Sequence, residues 1–357
     1  MKKLISLLLA LVMVFSLATV AAAEGDGDAA STPETGTNQK VVGLASESQT
    51  IYFKKNYTGN AATKNIYPVE TLSFEVTDST DANAPELTVS DNTTDGDVNP
   101  STLAMTVGAV TNEVAGVYYY TIKETAGSTQ GVTYTDAGVA INVTVWVYWE
   151  DVKSTAEDGT ETTTRVLKKA VTFTKPETGE KVNQINNEYN VYDLAVNKTI
   201  SGALASSDQE FDINVYFRAA TGKTVASNAV VTYKVGTEDK TIPAAELNSG
   251  VMKTISIKAG TTVTFTNIPD GVEYMVIEDV KHAATDPTKN NPATGYEVTG
   301  QVETYTALSD DAAVTINNDK DVEVETGISL DSAPYFLMLA VALFGMVALV
   351  SKKRYEV

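Results

Sequence analysis

Gly116-Val117-Tyr118-Tyr119-Tyr120-Thr121-Ile122-Lys123-Glu124 recurs later in the chain as Gly271-Val272-Glu273-Tyr274-Met275-Val276-Ile277-Glu278. Both stretches begin on glycine, alternate around β-branched and aromatic residues, and end on glutamate. That is the pattern of a strand with one apolar face, written twice. Side chains two apart on a strand share a face. Glu124 therefore continues the face of Tyr118, Tyr120 and Ile122, and Glu278 that of Val272, Tyr274 and Val276.

Working outward, an alternating strand runs into a lysine ahead of each copy. These are Ile51-Tyr52-Phe53-Lys54-Lys55 and Leu194-Ala195-Val196-Asn197-Lys198. Each half then closes on the same tripeptide, Ile185-Asn186-Asn187 and Ile316-Asn317-Asn318. Parity sets Lys55 with Ile51 and Phe53, Lys198 with Leu194 and Val196, Asn187 with Ile185, and Asn318 with Val314 and Ile316. All six polar groups continue apolar faces, where an unpaired charge is costly. Each half is thus predicted to bury a Lys–Glu–Asn cluster, with a domain boundary near residues 187–191.

Such a cluster has a defined chemistry. Desolvation lowers a lysine pKa and raises a glutamate pKa, so the pair can rest as neutral amine and neutral acid. The amine is then a nucleophile, and the acid can donate to the asparagine carbonyl oxygen and move protons. Attack on the carboxamide expels ammonia and leaves an isopeptide bond, helped by the fixed proximity of the groups. A Lys–Glu ion pair with an asparagine hydrogen bond is the alternative.

The rest of the chain sets the context. Short segments rich in Val, Ile, Thr and Tyr recur at 50–55, 71–77, 102–107, 117–124, 139–149 and 170–174. A second series lies at 193–198, 211–217, 230–235, 251–257, 262–266, 272–278 and 313–318, with turn clusters between them. No long segment between the termini carries the helical period, so the fold expected is all-β, as sandwiches. The 46 acidic side chains against 26 basic ones give a net charge of −20, which excludes nucleic acid as a partner. With no cysteine, thiolate metal sites, Cys nucleophiles and disulfides are absent. The single histidine, His282, reads as a loop residue. Asp91-Asn92-Thr93-Thr94-Asp95-Gly96-Asp97 lacks the ligand spacing of a calcium loop. No metal or cofactor is expected. The Asn-x-Thr triplets at Asn56, Asn92, Asn142 and Asn197 read as chance matches to a glycosylation acceptor.

Both termini point to export. Lys2-Lys3, an apolar run and Ala21-Ala22-Ala23 form the three regions of a secretory signal peptide, 1–23, followed by a flexible polar leader, 24–45. At the other end Glu323-Val324-Glu325-Thr326-Gly327 precedes an uncharged run, 333–350, and then Ser351-Lys352-Lys353-Arg354. An apolar helix of about 18 residues can just span a bilayer, with the basic cluster held on the cytoplasmic side. The segment 323–357 resembles a Gram-positive cell-wall sorting signal, in which a sortase cleaves between Thr and Gly, here Thr326 and Gly327. Glu323 and Val324 stand where Leu and Pro are usual. The motif is closer to the E-V-P-T-G signal of a streptococcal pilus backbone subunit, with Glu325 in place of Pro.

The chain as a whole resembles the streptococcal-type pilus backbone subunits with isopeptide-linked immunoglobulin-like domains. The resemblance rests on the Gly116-to-Glu124 stretch, the Trp-containing strand 139–149, Leu194-Ala195-Val196-Asn197-Lys198-Thr199-Ile200-Ser201-Gly202, the Asn318-to-Thr326 spacing and Ala333-Pro334-Tyr335. It implies two tandem immunoglobulin-like sandwiches, 46–189 and 190–322. It also implies bonds Lys55–Asn187 assisted by Glu124 and Lys198–Asn318 assisted by Glu278. A lysine before the last strand of the first domain would receive the next subunit's threonine. Lys181 is nearest to that position, one residue closer to Asn187 than the family places it, and Lys175 stands as the second candidate. The expected partners are a sortase, further pilin subunits and peptidoglycan, on a secreted, wall-anchored surface protein with no enzymatic turnover. The alternative functions are a monomeric wall-anchored adhesin binding host protein or glycan and, less well supported by these residues, a glycosidase.

Overall fold

The computed structural model describes residues 41–279, 290–291 and 295–321, with three further positions at 338, 339 and 342. The expected signal peptide, most of the expected leader, His282, Thr326, Gly327 and all but those three positions of the expected sorting signal lie outside the described residues. Among the described residues no helix is long and apolar enough to cross a membrane.

The first half carries β1 (Val41–Leu44), β2 (Gln49–Thr58), the short helix α1 (Asn60–Thr63), β3 (Ser73–Thr77), β4 (Leu87–Asp91) and β5 (Ser101–Val107). It continues with β6 (Gly116–Thr125), β7 (Val132–Thr133), β8 (Ala140–Thr155), β9 (Glu161–Thr174) and β10 (Gln184–Tyr189). The second half has β11 (Val191–Ser201), β12 (Glu210–Arg218), β13 (Val230–Val235), β14 (Glu238–Pro243), α2 (Ala244–Ser249) and β15 (Val251–Lys258). Then come β16 (Thr262–Pro269), β17 (Glu273–Glu278), β18 (Asn290–Asn291), β19 (Tyr296–Thr299), β20 (Val302–Ala307) and β21 (Ala312–Asp319). The chain is all-β, as its alternating pattern predicts.

Four sheets result, in the orders β1-β9-β8-β6-β3 and β4-β5-β2-β10-β7, then β14-β13-β16-β11-β21-β19-β18 and β15-β12-β17-β20. In the first half, Phe53 and Leu103 from one sheet meet Tyr120 and Val145 from the other in a common core. In the second, Leu194 and Phe265 meet Ile213 and Val276. Each such side chain, fully buried, contributes roughly 1.5–3 kcal/mol. Burial alternates along β6 and β17 as the opening pair of stretches requires, with Glu124 and Glu278 on the inward face. A small third cluster, Tyr57, Ala61, Val132, Tyr189 and Val191, sits where one half passes into the other.

One expectation needs correcting. The end of the stretch read as flexible leader is strand: Val41 pairs with Val171 and Leu44 with Lys168 along the edge of β9. Val42 and Leu44 remain exposed, and backbone pairing to β9 holds the strand on the sheet. A pattern search keyed to apolar faces passes over such a segment.

Candidate functional site

The six polar residues come together in two clusters, three by three. β2 and β10 run parallel, with Lys55 opposite Ile185, two residues short of Asn187. β11 and β21 are also parallel, with Lys198 opposite Ile316, two residues short of Asn318. The offset between lysine and asparagine is the same in both halves. The glutamates enter from the facing sheets, on β6 and β17. All six residues are buried.

In the first cluster Lys55 Nζ lies 2.6 Å from Glu124 Oε2, and Asn187 Nδ2 donates to Glu124 Oε1 at 2.8 Å. One carboxylate thus holds both nitrogens, one on each oxygen. In the second, Asn318 Nδ2 donates to Glu278 Oε1 at 2.8 Å, while Lys198 Nζ stands 3.6 Å from Glu278 Oε2. Lys198 Nζ donates instead to the Thr199 and Ile316 carbonyls, at 3.0 and 3.4 Å, above the Phe211 ring. Burial pulls the Lys55 amine below its ordinary value against the opposing pull of Glu124, and pulls Lys198 down to about 8. Burial also pushes the Glu278 carboxyl up. These are the directions that favour a neutral amine and a neutral acid.

The carboxamides face the other way from the expectation that the acid donates to their carbonyl oxygens. Their nitrogens meet the glutamates, and among the described residues Asn187 Oδ1 and Asn318 Oδ1 accept no hydrogen bond. An ionised carboxylate only accepts, so it orders donors around itself. Protonating it reverses that preference and lets the amide turn its oxygen to the acid.

The two linkage candidates lie together on the turn after β9. Thr174 and Lys181 form a bridge, and Lys175 N donates to the Glu180 carbonyl at 2.8 Å. Both lysines are exposed. Lys175 Nζ is paired with Glu180 at 3.0 Å, whereas among the described residues no carboxylate pairs with Lys181.

Lys169 and Glu70 are among the buried polar groups that the strand pattern did not single out. Lys169 is fully buried and donates to the carbonyls of Glu47 at 2.5 Å, Val107 at 3.0 Å and Gly108 at 2.5 Å. The parity rule would have found it, because Val171 and Phe173 on its face are core. Glu70 accepts from Tyr57 and, at 2.6 Å, from Tyr134. It stands in a loop, where parity has no purchase. Glu70 borders a cavity of about 600 Å³ that Thr71, Thr224 and Asn248 also line. The Asp91 and Asp95 carboxylates turn inward on their own loop, to Thr93 N and Asp97 N, and no cluster of metal ligands occurs among the described residues.

The class that this fold and its closed clusters define is an all-β protein in which buried Lys, Glu and Asn side chains face one another across each core. More particularly, the chain is 28% identical over 275 residues to a protein named Pilin from Streptococcus pyogenes serotype M1, covering 73% of this chain and 75% of that one. Residues 192–320 match the family described as Domain of unknown function (DUF7601). Similar solved structures include the major pilin T3.2 from S. pyogenes serotype GAS13637, with 18% identity and a TM-score of 0.48 over 78% of this chain and 99% of that chain. Another is the major pilin from S. pyogenes, with 20% identity and a TM-score of 0.47 over 76% and 99%. The resemblance to a Gram-positive pilus subunit is supported by the relative in sequence.

Proposed function

We propose that this chain is a shaft subunit of a sortase-assembled Gram-positive pilus, built from two immunoglobulin-like domains, 46–189 and 190–322. The observation that carries this reading is the repeated cluster: Lys, Glu and Asn in contact, at one shared offset between parallel strands. In each, the lysine amine attacks the asparagine Cγ and the bond to Nδ2 breaks. The amine proton passes through the glutamate carboxyl to the leaving nitrogen, which departs as ammonia. Lys55 would join Asn187 through Glu124, and Lys198 would join Asn318 through Glu278.

On this reading 1–23 is removed as a signal peptide, and the sorting signal 323–357 delivers the chain to a sortase. Cleavage between Thr326 and Gly327 passes the threonyl carbonyl to a lysine of the next subunit or to peptidoglycan. Lys181 is the better acceptor, since the Lys175 amine is engaged by Glu180. The similarity to a streptococcal pilin supports placement at the cell surface.

The test is the mass of the 24–326 chain made in a cytosol, where no sortase acts. It should fall short of its sequence mass by two ammonia molecules. Glu124→Ala should restore one and Glu278→Ala the other. An unmodified mass in a chain shown to be folded by circular dichroism would reduce both clusters to ion pairs and remove the main support for a shaft.

A further inference from the structure

Asn190 alone separates β10 from β11. Two cores joined by so short a link ordinarily move relative to each other unless their interface is large or specifically bonded. Here the contact is specifically bonded, by three carboxamides. Gln130 is 4% exposed. Its Nε2 donates to the Asp270 carbonyl at 2.5 Å and its Oε1 accepts from Ala220 N at 3.1 Å. Its main chain joins in, with Gln130 N donating to the Thr224 carbonyl at 2.8 Å and Thr224 N to the Ser128 carbonyl at 3.0 Å.

Asn228 works in the opposite direction, from the second half to the first. Its Oδ1 accepts from Val69 N and its Nδ2 donates to the Tyr67 carbonyl, both at 2.9 Å. Asn60 takes the N–H and the carbonyl of Val191, both at 2.8 Å. Asp270 N donates to the Asn190 carbonyl at 2.9 Å, closing the ring of contacts. In each case one planar group satisfies a donor and an acceptor, which a carboxylate or an alcohol in the same position cannot do in that geometry. The two halves are also brought close: a Cβ on Gly271 would fall 2.6 Å from Gln130 Nε2, and one on Gly131 would fall 3.2 Å from Asp270 N.

We infer that Gln130, Asn228 and Asn60 form a carboxamide lock that holds the two halves as one rigid body, with a single angle between them in solution. The lock does not depend on the isopeptide bonds or on assembly. It makes the junction the stiff point of the chain, although connectivity alone would make it a hinge.

Spin-label distances on the full chain test this, because the absence of cysteine leaves any introduced pair unique. Tyr119→Cys and Met252→Cys place labels on exposed positions in different halves, and Met252→Cys with Val230→Cys gives a pair within one half. The inter-half distribution should be no broader than the intra-half one. Gln130→Ala with Asn228→Ala should broaden it by about a factor of two while leaving the intra-half pair unchanged, which shows that each half remains folded. Gln130→Glu, which keeps an acceptor for Ala220 N but offers nothing to the Asp270 carbonyl, should broaden it as well. A broad or multiple distribution in the parent overturns the inference. So does a distribution that stays narrow when the carboxamides are removed.

Discussion

Lys169, buried among carbonyls, and Lys198, buried beside a glutamate, are both pulled down chiefly by burial, and the consequence for stability can be measured. Burial pulls Lys169 from 10.5 to about 8, against an opposing pull from Glu47. The folded chain therefore gives up this proton earlier than the unfolded chain does. Between about pH 8 and 10 the unfolded state binds more protons, so stability rises with pH across that window. Buried Tyr120 and half-buried Tyr134, whose hydroxyls burial pushes up, act in the opposite sense only above about 10. Urea unfolding at a series of pH values should show the rise in the parent and lose it in Lys169→Met. That variant should also be weaker throughout by roughly 3 kcal/mol, for carbonyls left unpaired. Lys55 and Lys198 would add further rises if their amines were free, so a rise that survives in Lys169→Met would mean that at least one of the two bonds has not formed. At this scale the sequence is readable where a polar residue continues the apolar face of a regular strand. Lys55, Glu124, Asn187, Lys198, Glu278 and Asn318 were placed by parity, and Lys169 obeys the same rule. Glu70 and Gln130 stand in loops, where no periodicity reports burial.

Among the elements, the β8–β9 hairpin separates what packing holds from what pairing holds. Up to Val147 β8 is flanked by β6, but from Trp149 opposite Leu167 to Thr155 opposite Glu161 the two strands pair only with each other. Trp149 and Val152 are exposed there, and the Arg165 guanidinium lies 5.3 Å from the Trp149 ring. Replacing residues 152–164 by Asn-Gly should change the unfolding free energy by less than about 1 kcal/mol, because no core contact is lost. A larger loss in denaturant unfolding would mean the ribbon is packed against something. The same distinction explains which strands the sequence revealed. Segments with an inward apolar face, such as 211–217 and 230–235, were found close to their observed limits. The distal part of β9, Glu-Thr-Thr-Thr-Arg, has no such face, and only backbone pairing makes it a strand.

For the whole molecule, the proposed assembly rests on one exposed amine. Lys181→Ala should abolish the high-mass ladder extracted from the cell wall while leaving the monomer anchored. A ladder that persists there and vanishes in Lys175→Ala would transfer the role across the turn. The proposed bonds close loops longer than 100 residues, worth roughly 5 kcal/mol each on a chain-entropy estimate. Glu124→Ala and Glu278→Ala should therefore each lower the melting temperature and admit trypsin. The twofold order of lysine, glutamate and asparagine was legible because each half repeats it. The contact between the halves was not, because it is made by carboxamides outside the strands that repeat nowhere.

The parallel pairing of β2 with β10 and of β11 with β21 has a consequence for a chain that is stretched. Parallel neighbours present their outer ends at opposite ends of the pair, so pulling on those ends slides one strand along the other. Every rung then resists at once in shear, whereas antiparallel neighbours pulled from one end would open rung by rung. β11 and β21 share eight consecutive register positions, Leu194 to Ser201 against Ala312 to Asp319. Even before any covalent bond closes, rupture of this half should be abrupt and brittle, with little extension beforehand.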